Sequence, residues 1–224
     1  MNINKYLNKK RYNGELVNMV FSDLHKEKSF KNVLFVRTPT TGCWMDYMLK
    51  NNEINTTRIL YKTPNNTCEN KLYNIMEHDE VESFIAGINI KFDLICLDSY
   101  HEYYYSNKDL IVLTPFLSDE GIILAHDCFP PKKIYTNPTF VPGSWCGVTY
   151  ICLVEFAYNN PQWYYAVLNN DNGVGIISKK KLDNLEQNFN RTKQENLIKM
   201  HNEGNKNIYE YYCENSNELI NLIS

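Results

Sequence analysis

The chain has 224 residues, 43% of them hydrophobic, with a formal net charge of −3 and a pI near 6.0. That length and apolar share suit one α/β domain with a modest extension at each end, and the mildly acidic balance argues against a generic nucleic-acid binder. Seven cysteines, at 43, 68, 96, 128, 146, 152 and 213, form no CxxC pair, so free thiols in a reducing cytosol are expected rather than a disulfide framework or a zinc site.

The opening stretch MNINKYLNKKRYNG has no apolar run resembling a signal peptide, and no segment is long enough to span a bilayer, so the expectation is a cytoplasmic protein without a membrane partner. Residues 3–30 read as one or two helices, an N-terminal extension whose apolar face is Leu16, Val17, Met19, Val20, Phe21 and Leu24. Val33–Val36 is the first buried strand, followed by the loop Arg37-Thr38-Pro39-Thr40-Thr41-Gly42 and a helix from about Cys43 to Lys50. Thr57–Tyr61 gives a second strand. Pro64 and Asn65 break it, and Thr67 is placed to cap a helix reaching about Met76. Val81–Ala86 reads as a third strand, joined to the next by only Gly87–Lys91, a span too short for a crossover helix.

The densest stretch is Lys91–Cys128, KFDLICLDSYHEYYYSNKDLIVLTPFLSDEGIILAHDC. Phe92–Leu97 is apolar enough for a strand buried on both faces and ends abruptly in Asp98. A helix follows, then the turn Ser118–Gly121, then a strand Ile122–Ala125 ending in His126-Asp127. Two parallel strands thus deliver Asp98, His101, His126 and Asp127 to the carboxyl edge of a sheet, where open α/β sheets bind ligands.

After an irregular segment with four prolines, Trp145–Tyr158 reads as a helix. Trp163–Leu168 and Val174–Ser178 read as strands around the turn Asn169–Gly173. A charged helical tail from Lys180 to about Glu203 and an amphipathic helix over Asn207–Ile223 close the chain. With no repeat and no linker, this is one domain, residues 1–224, with a mostly parallel sheet and one antiparallel strand.

FDLICLDSYHEYYYSNKDL resembles the fourth strand and following helix of class I S-adenosylmethionine-dependent methyltransferases, whose form there is FDLIFIDGDHSYE. EGIILAHDCFPPKK and VPGSWCG are similar to the fifth strand and following segment of a subgroup of bacterial glycan and capsule clusters. NGVGIISKK and YEYYCENSNELINLIS resemble that subgroup's last strand and closing helix, so the likeness covers roughly Lys91–Ser224. It implies a Rossmann-like sheet of seven strands with helices on both faces. It implies O-methyl transfer to a sugar or glycan intermediate, with S-adenosylmethionine as cofactor and a small-molecule substrate such as a sugar or sugar nucleotide.

On that likeness Asp98 and Asp127 hold a divalent metal, Mg²⁺ or Mn²⁺, with His126 a further ligand and catalytic candidate beside Asp98. His101 is the general base for a substrate hydroxyl. Arg37, Thr38, Thr41 and Gly42 line the cofactor loop. The first half departs from the family pattern: Phe35 stands where an acid belongs, Tyr61-Lys62-Thr63 where a ribose-binding carboxylate ends strand two, and Gly87–Ile90 is all that is left for the adenine loop. Lys62 at the ribose position suits a phosphate.

Structural readings stand beside these. Asp98 and Asp127 could cap backbone, the histidines could be packed and hydrogen-bonded, Lys62 could be solvated, and the Tyr103–Tyr105 run reads better as core than as a sugar platform. Cys128 is a poor nucleophile beside the Asp127 charge. Two other functions stay open: metal-assisted chemistry on a sugar- or nucleotide-phosphate at the Asp98/His101/His126/Asp127 edge without S-adenosylmethionine, or a non-catalytic binding subunit. The oligomeric state is open, a homo-oligomer included.

Overall fold

Strands that are apolar on both faces need helices on both faces, and their period of two decides which side chain meets which layer. In the computed structural model, which describes residues 6, 14–41, 45, 54–63, 72–181, 187 and 189–223, this produces an eight-stranded sheet. Its strands are β1 (Asn32–Arg37), β2 (Asn55–Tyr61), β3 (Asn74–Met76), β4 (Phe92–Asp98), β5 (Leu117–Ala125), β6 (Tyr164–Leu168), β7 (Val174–Ser178) and β8 (Leu222–Ile223), in the spatial order β3-β2-β1-β4-β5-β7-β6-β8. Only β7 runs antiparallel to its neighbours, as expected.

Leu34, Val36, Ile95, Leu97 and Ile123 face one layer. There they pack with α2 (Val81–Ile88), α3 (Tyr103–Leu113), α4 (Thr149–Asn159), α5 (Arg191–Asn202) and α6 (Ile208–Ile220). Val33, Phe35, Leu94, Cys96 and Ile122 face the other layer, against Leu16, Val17, Val20, Phe21 and Leu24 of α1 (Glu15–Lys28). Among the described residues, no helix is long and apolar enough to cross a membrane.

Several expectations need correction. Val81–Ala86 is not a strand but most of α2: Val81 and Ile85 are buried one turn apart while Glu82 and Ser83 between them are exposed, a helical period. Glu77 and Glu80 form a reciprocal capping box just before it. The third strand is Asn74–Met76, parallel to Ile59–Tyr61. The helix expected to reach Met76 therefore does not include Asn74–Met76, and Pro64 and Thr67 lie outside the described residues, as do Cys43 and Lys50. It follows that the segment after the third strand is Glu77–Glu80, not Gly87–Ile90, and that α2 itself is the crossover to β4.

The helix expected from Trp145 begins only at Thr149. Cys146 N and Gly147 N both donate to the Tyr135 carbonyl, at 2.9 and 3.0 Å, and Gly147 has φ +56. The residues Ser118–Gly121 belong to β5, whose register against β4 shifts at this point. At the far end, Asn221 at φ +54 ends α6, and Leu222-Ile223 pair parallel with Val167-Leu168 as the eighth strand.

A Cβ on Gly147 would stand 2.0 Å from the His101 carbonyl oxygen. Gly147→Ala is therefore expected to cost roughly 2 kcal/mol or more, read as a lowered urea midpoint. Gly87→Ala, on α2 with nothing within 4 Å of the added carbon, should instead stabilise by roughly 0.5–1 kcal/mol.

Candidate functional site

β4 and β5 are parallel neighbours, so their carboxyl ends finish side by side, with Leu97 opposite Ala125. Asp98 ends β4, and Arg37 at the end of β1 is its register partner. His126 N donates to the Leu97 carbonyl at 3.0 Å, which continues the pairing one residue past β5. Asp127 then takes a left-handed backbone, φ +59, a conformation that aspartate tolerates better than most residues.

This chain course gathers the expected residues. Asp98, His101, His126 and Asp127 are all buried. His101 Nε2 lies 2.9 Å from Asp98 Oδ1 and 3.2 Å from Asp127 Oδ2. His126 Nδ1 lies 3.4 Å from Asp98 Oδ2 and 3.3 Å from Asp127 Oδ2. One ligand atom each from Asp98, His101 and Asp127 lies within 4.8 Å of the others. His126 is not part of that set; its other nitrogen points towards a third carboxylate.

The third carboxylate, Asp171, sits in the β6–β7 turn with Oδ1 3.6 Å from His126 Nε2. The same carboxylate accepts from Gly14 N at 3.0 Å and Leu16 N at 2.9 Å, capping α1 from 155 residues away. Asp171, Asn172 and Gly173 have consecutive φ values of +52, +59 and +88. The turn is pinned by Cys128 N and Phe129 N donating to the carbonyls of Gly173 and Asn172. Sequence reasoning missed Asp171, reading it only as a turn residue; a carboxylate inside a hairpin turn is too common to mark a site.

Charge balance follows from the geometry. The Trp145 carbonyl can only accept, so His101 Nδ1, 2.8 Å away, carries a proton. Nε2 faces Asp98 and needs one as well. Burial pulls the His101 imidazole down, but the Asp127 and Asp98 charges more than offset it and its pKa rises. His126 likewise resists burial and is held well above the usual histidine value by Asp127, Asp171 and Asp98. Burial would raise the Asp98 carboxyl, yet the two histidines hold it below the usual carboxylate range. Three carboxyl groups thus face two imidazole rings whose pKa values are raised.

The residues expected to hold a cofactor are placed differently. Thr38 and Thr41 are buried and hydrogen-bonded to each other, Oγ1 to Oγ1, at 2.9 Å. Thr41 Oγ1 also donates to the Asp98 carbonyl. The buried Arg37 guanidinium donates to the Thr38 and Thr41 carbonyls and lies 4.6 Å from the Tyr73 ring centre. Lys62 is exposed and pairs with Glu77 at 3.0 Å. Gly42 lies outside the described residues. Phe35 is packed against Phe21, so no acid occupies that place on β1.

Beneath this edge lies a second polar group. Asp109 on α3 accepts from the Tyr61 hydroxyl at 2.5 Å and from Ser99 Oγ, with His78 Nε2 3.0 Å away. Tyr105 packs on His78 and Tyr100, and Tyr103 donates to Glu155 at 2.5 Å, so these two of the three tyrosines are structural. Tyr104 is exposed and donates to Asp79. Trp145 packs 5.1 Å from the rings of both Tyr100 and His101. Burial, then the Asp127 charge, pushes the Cys128 thiol up to about 12, which removes it as a nucleophile.

No protein-family model and no curated protein matches the chain. Solved structures do. A candidate caffeoyl-CoA O-methyltransferase from Staphylococcus aureus superposes with a TM-score of 0.51 at 14% identity, over 80% of this chain and 93% of that one. A candidate O-methyltransferase from Klebsiella pneumoniae does so with a TM-score of 0.50 at 10% identity, over 79% and 88%. At such identities the likeness is one of fold, and it agrees with the Rossmann-like α/β architecture expected from the sequence.

The network sets a pH profile. Asp98, depressed in the fold, contributes stability above its unfolded value of about 3.9 that is lost as pH falls through the folded value. His101 and His126, raised in the fold, contribute stability present below about 6.5 that is lost as pH rises through their folded values. Metal-free protein is expected to be most stable between about pH 4 and about pH 6.5, by urea unfolding in chelator. An unchanging midpoint from there to the alkaline side would show neutral imidazoles. Asp171→Ala should cost roughly 3 kcal/mol and raise hydrogen exchange at the start of α1 more than elsewhere.

Proposed function

We propose that the chain is an enzyme transferring a methyl group from S-adenosylmethionine to a hydroxyl of a sugar or glycan intermediate, with a divalent cation, Mg²⁺ or Mn²⁺, held by Asp98, His101 and Asp127. The fold likeness supports methyl transfer in general. The resemblance of the β5 and closing segments to glycan-cluster enzymes supports the acceptor class. The observation that carries the metal is Asp127 Oδ1, a buried carboxylate oxygen with no hydrogen-bond partner among the described residues.

The donor set suits a cation in a second respect. His101 donates Nδ1–H to the Trp145 carbonyl, the outer-shell bond that commonly fixes a ligating imidazole with its other nitrogen turned inward. In this reading His101 gives up its Nε2 proton and serves as a ligand, not as the general base. Two carboxylates and one imidazole admit Mn²⁺ more readily than an all-oxygen set does. A cation bound here supplies Lewis acidity to an acceptor hydroxyl. His126 keeps its proton between Asp127 and Asp171 and offsets the carboxylate charge.

The described residues fit S-adenosylmethionine less well than they fit the cation. Phe35 brings no acid, the Tyr61 hydroxyl is spent on Asp109, and Arg37 Nη1 and the Thr38 and Thr41 hydroxyls bond within their own loop. Those departures favour a second reading: a methyltransferase-fold enzyme that works without this cofactor, using the same edge for metal-assisted chemistry on a sugar- or nucleotide-phosphate.

Calorimetric titration with S-adenosylmethionine and S-adenosylhomocysteine in Mn²⁺ separates the two. Micromolar binding is expected for methyl transfer; no heat at millimolar ligand rejects it and moves the search to phosphorylated sugars. Mn²⁺ alone is expected to bind, about ten-fold or more weaker in Asp127→Asn. Because metal and proton compete for His101 Nε2, affinity should rise with pH through its elevated pKa. A pH-independent affinity would remove His101 from the ligand set.

A further inference from the structure

A cleft of about 540 Å³ opens between the β5–α4 connection and the α5–α6 turn, and it shares no lining residue with the Asp98–Asp127 cluster. Its volume falls within the roughly 300–1,000 Å³ of small-molecule sites. Val148, Ile151 and Met200 supply apolar surface. The cleft is built before any ligand arrives. Lys133 Nζ donates to the Lys206 carbonyl at 2.8 Å and pairs with Glu210 at 2.7 Å, and the Tyr209 hydroxyl donates to the Pro130 carbonyl at 3.1 Å. These bonds fasten one wall to the other and reduce the ordering cost of binding.

Two polar groups lining the cleft have no use within the protein. Tyr150 is 1% exposed, and its hydroxyl makes no hydrogen bond to any described residue. Burial raises its pKa, so it stays a donor. Lys206 is exposed and its ammonium has no ion-pair partner among the described residues, whereas Lys133 is matched by Glu210. Burial lowers the pKa of His201, packed at a tilt against Tyr103, so it adds no lasting charge near neutrality. An apolar bed, a hydroxyl unmatched by any described residue and one unmatched cation define a complement.

We propose that this cleft is a binding site for a small organic acid with a ring-sized apolar body. The body lies on Val148, Ile151 and Met200, and the carboxylate accepts from the Tyr150 hydroxyl and pairs with Lys206. The site is independent of the reaction at the β4–β5 edge and needs neither metal nor cofactor.

The test is titration of the full chain with 2-naphthoate and with 2-naphthol, followed by ligand-observed NMR. Saturable binding of the acid, about ten-fold tighter than the neutral naphthol, is expected. Lys206→Glu should erase that preference, Tyr150→Phe should weaken the acid and leave the naphthol unchanged, and Met200→Trp should abolish both while the unfolding temperature holds. Equal binding of acid and naphthol by the unmodified chain would overturn the proposal, as would binding indifferent to Met200→Trp or no saturation at millimolar naphthoate. The acid–naphthol comparison needs no variant, so a misfolded mutant leaves the proposal falsifiable.

Discussion

Five ionisable side chains are withdrawn from water at one end of the sheet: Asp98, Asp127 and Asp171 against His101 and His126. Desolvating such a group alone costs several kcal/mol, and mutual attraction offsets this only when each charge has partners at hydrogen-bonding range. That condition constrains much of the rest. It needs β4 and β5 adjacent and parallel, a left-handed Asp127, a β6–β7 turn forced to bring Asp171 inward, and a Trp145 carbonyl aimed at His101.

The connection between β5 and α4 supports this arrangement from outside. It has little regular structure of its own, yet the Tyr135 carbonyl takes two donors, Val148 N donates to the His101 carbonyl at 2.9 Å, and Trp145 Nε1 donates to the Asn137 carbonyl at 2.7 Å. The backbone around His101 is thereby fixed on both sides, its ring by Trp145 and its carbonyl by Val148. The same connection forms a wall of the cleft, so the buried cluster and the cleft share one irregular element.

The sequence made the second half legible because its signals were long. Phe92–Asp98 and Ile122–Ala125 are uninterrupted apolar runs with a charge at the end, and the run and its terminator together mark a strand and a sheet edge. The same logic found four of the five charged residues. The first half was read less well for a physical reason. VESFIAGI is short and apolar enough to pass as a buried strand, and only the burial of Val81 and Ile85 a turn apart reveals a helix. Three-residue β3 is too short to carry a period. The start of α4 was misjudged because Gly147 breaks the helix through a left-handed φ that composition does not announce. Asp171 was invisible since its role depends on partners far upstream in the chain, His126 and the first residues of α1.

Asp171 also ties the two ends of the chain in time. A helix that caps itself with its own serine or aspartate can settle soon after synthesis. α1 opens instead at Gly14, whose side-chain-free cap leaves the first donors to a carboxylate 155 and 157 residues further on. On a ribosome adding roughly 5–20 residues per second, α1 emerges well before its cap exists. Its apolar face, Leu16 to Leu24, has early partners in β1 and β4, but its amino end stays unsatisfied until the β6–β7 hairpin closes. This early helix is thus finished only after the β6–β7 hairpin has formed, and a contact of such sequence separation favours slow, late consolidation over early nucleation.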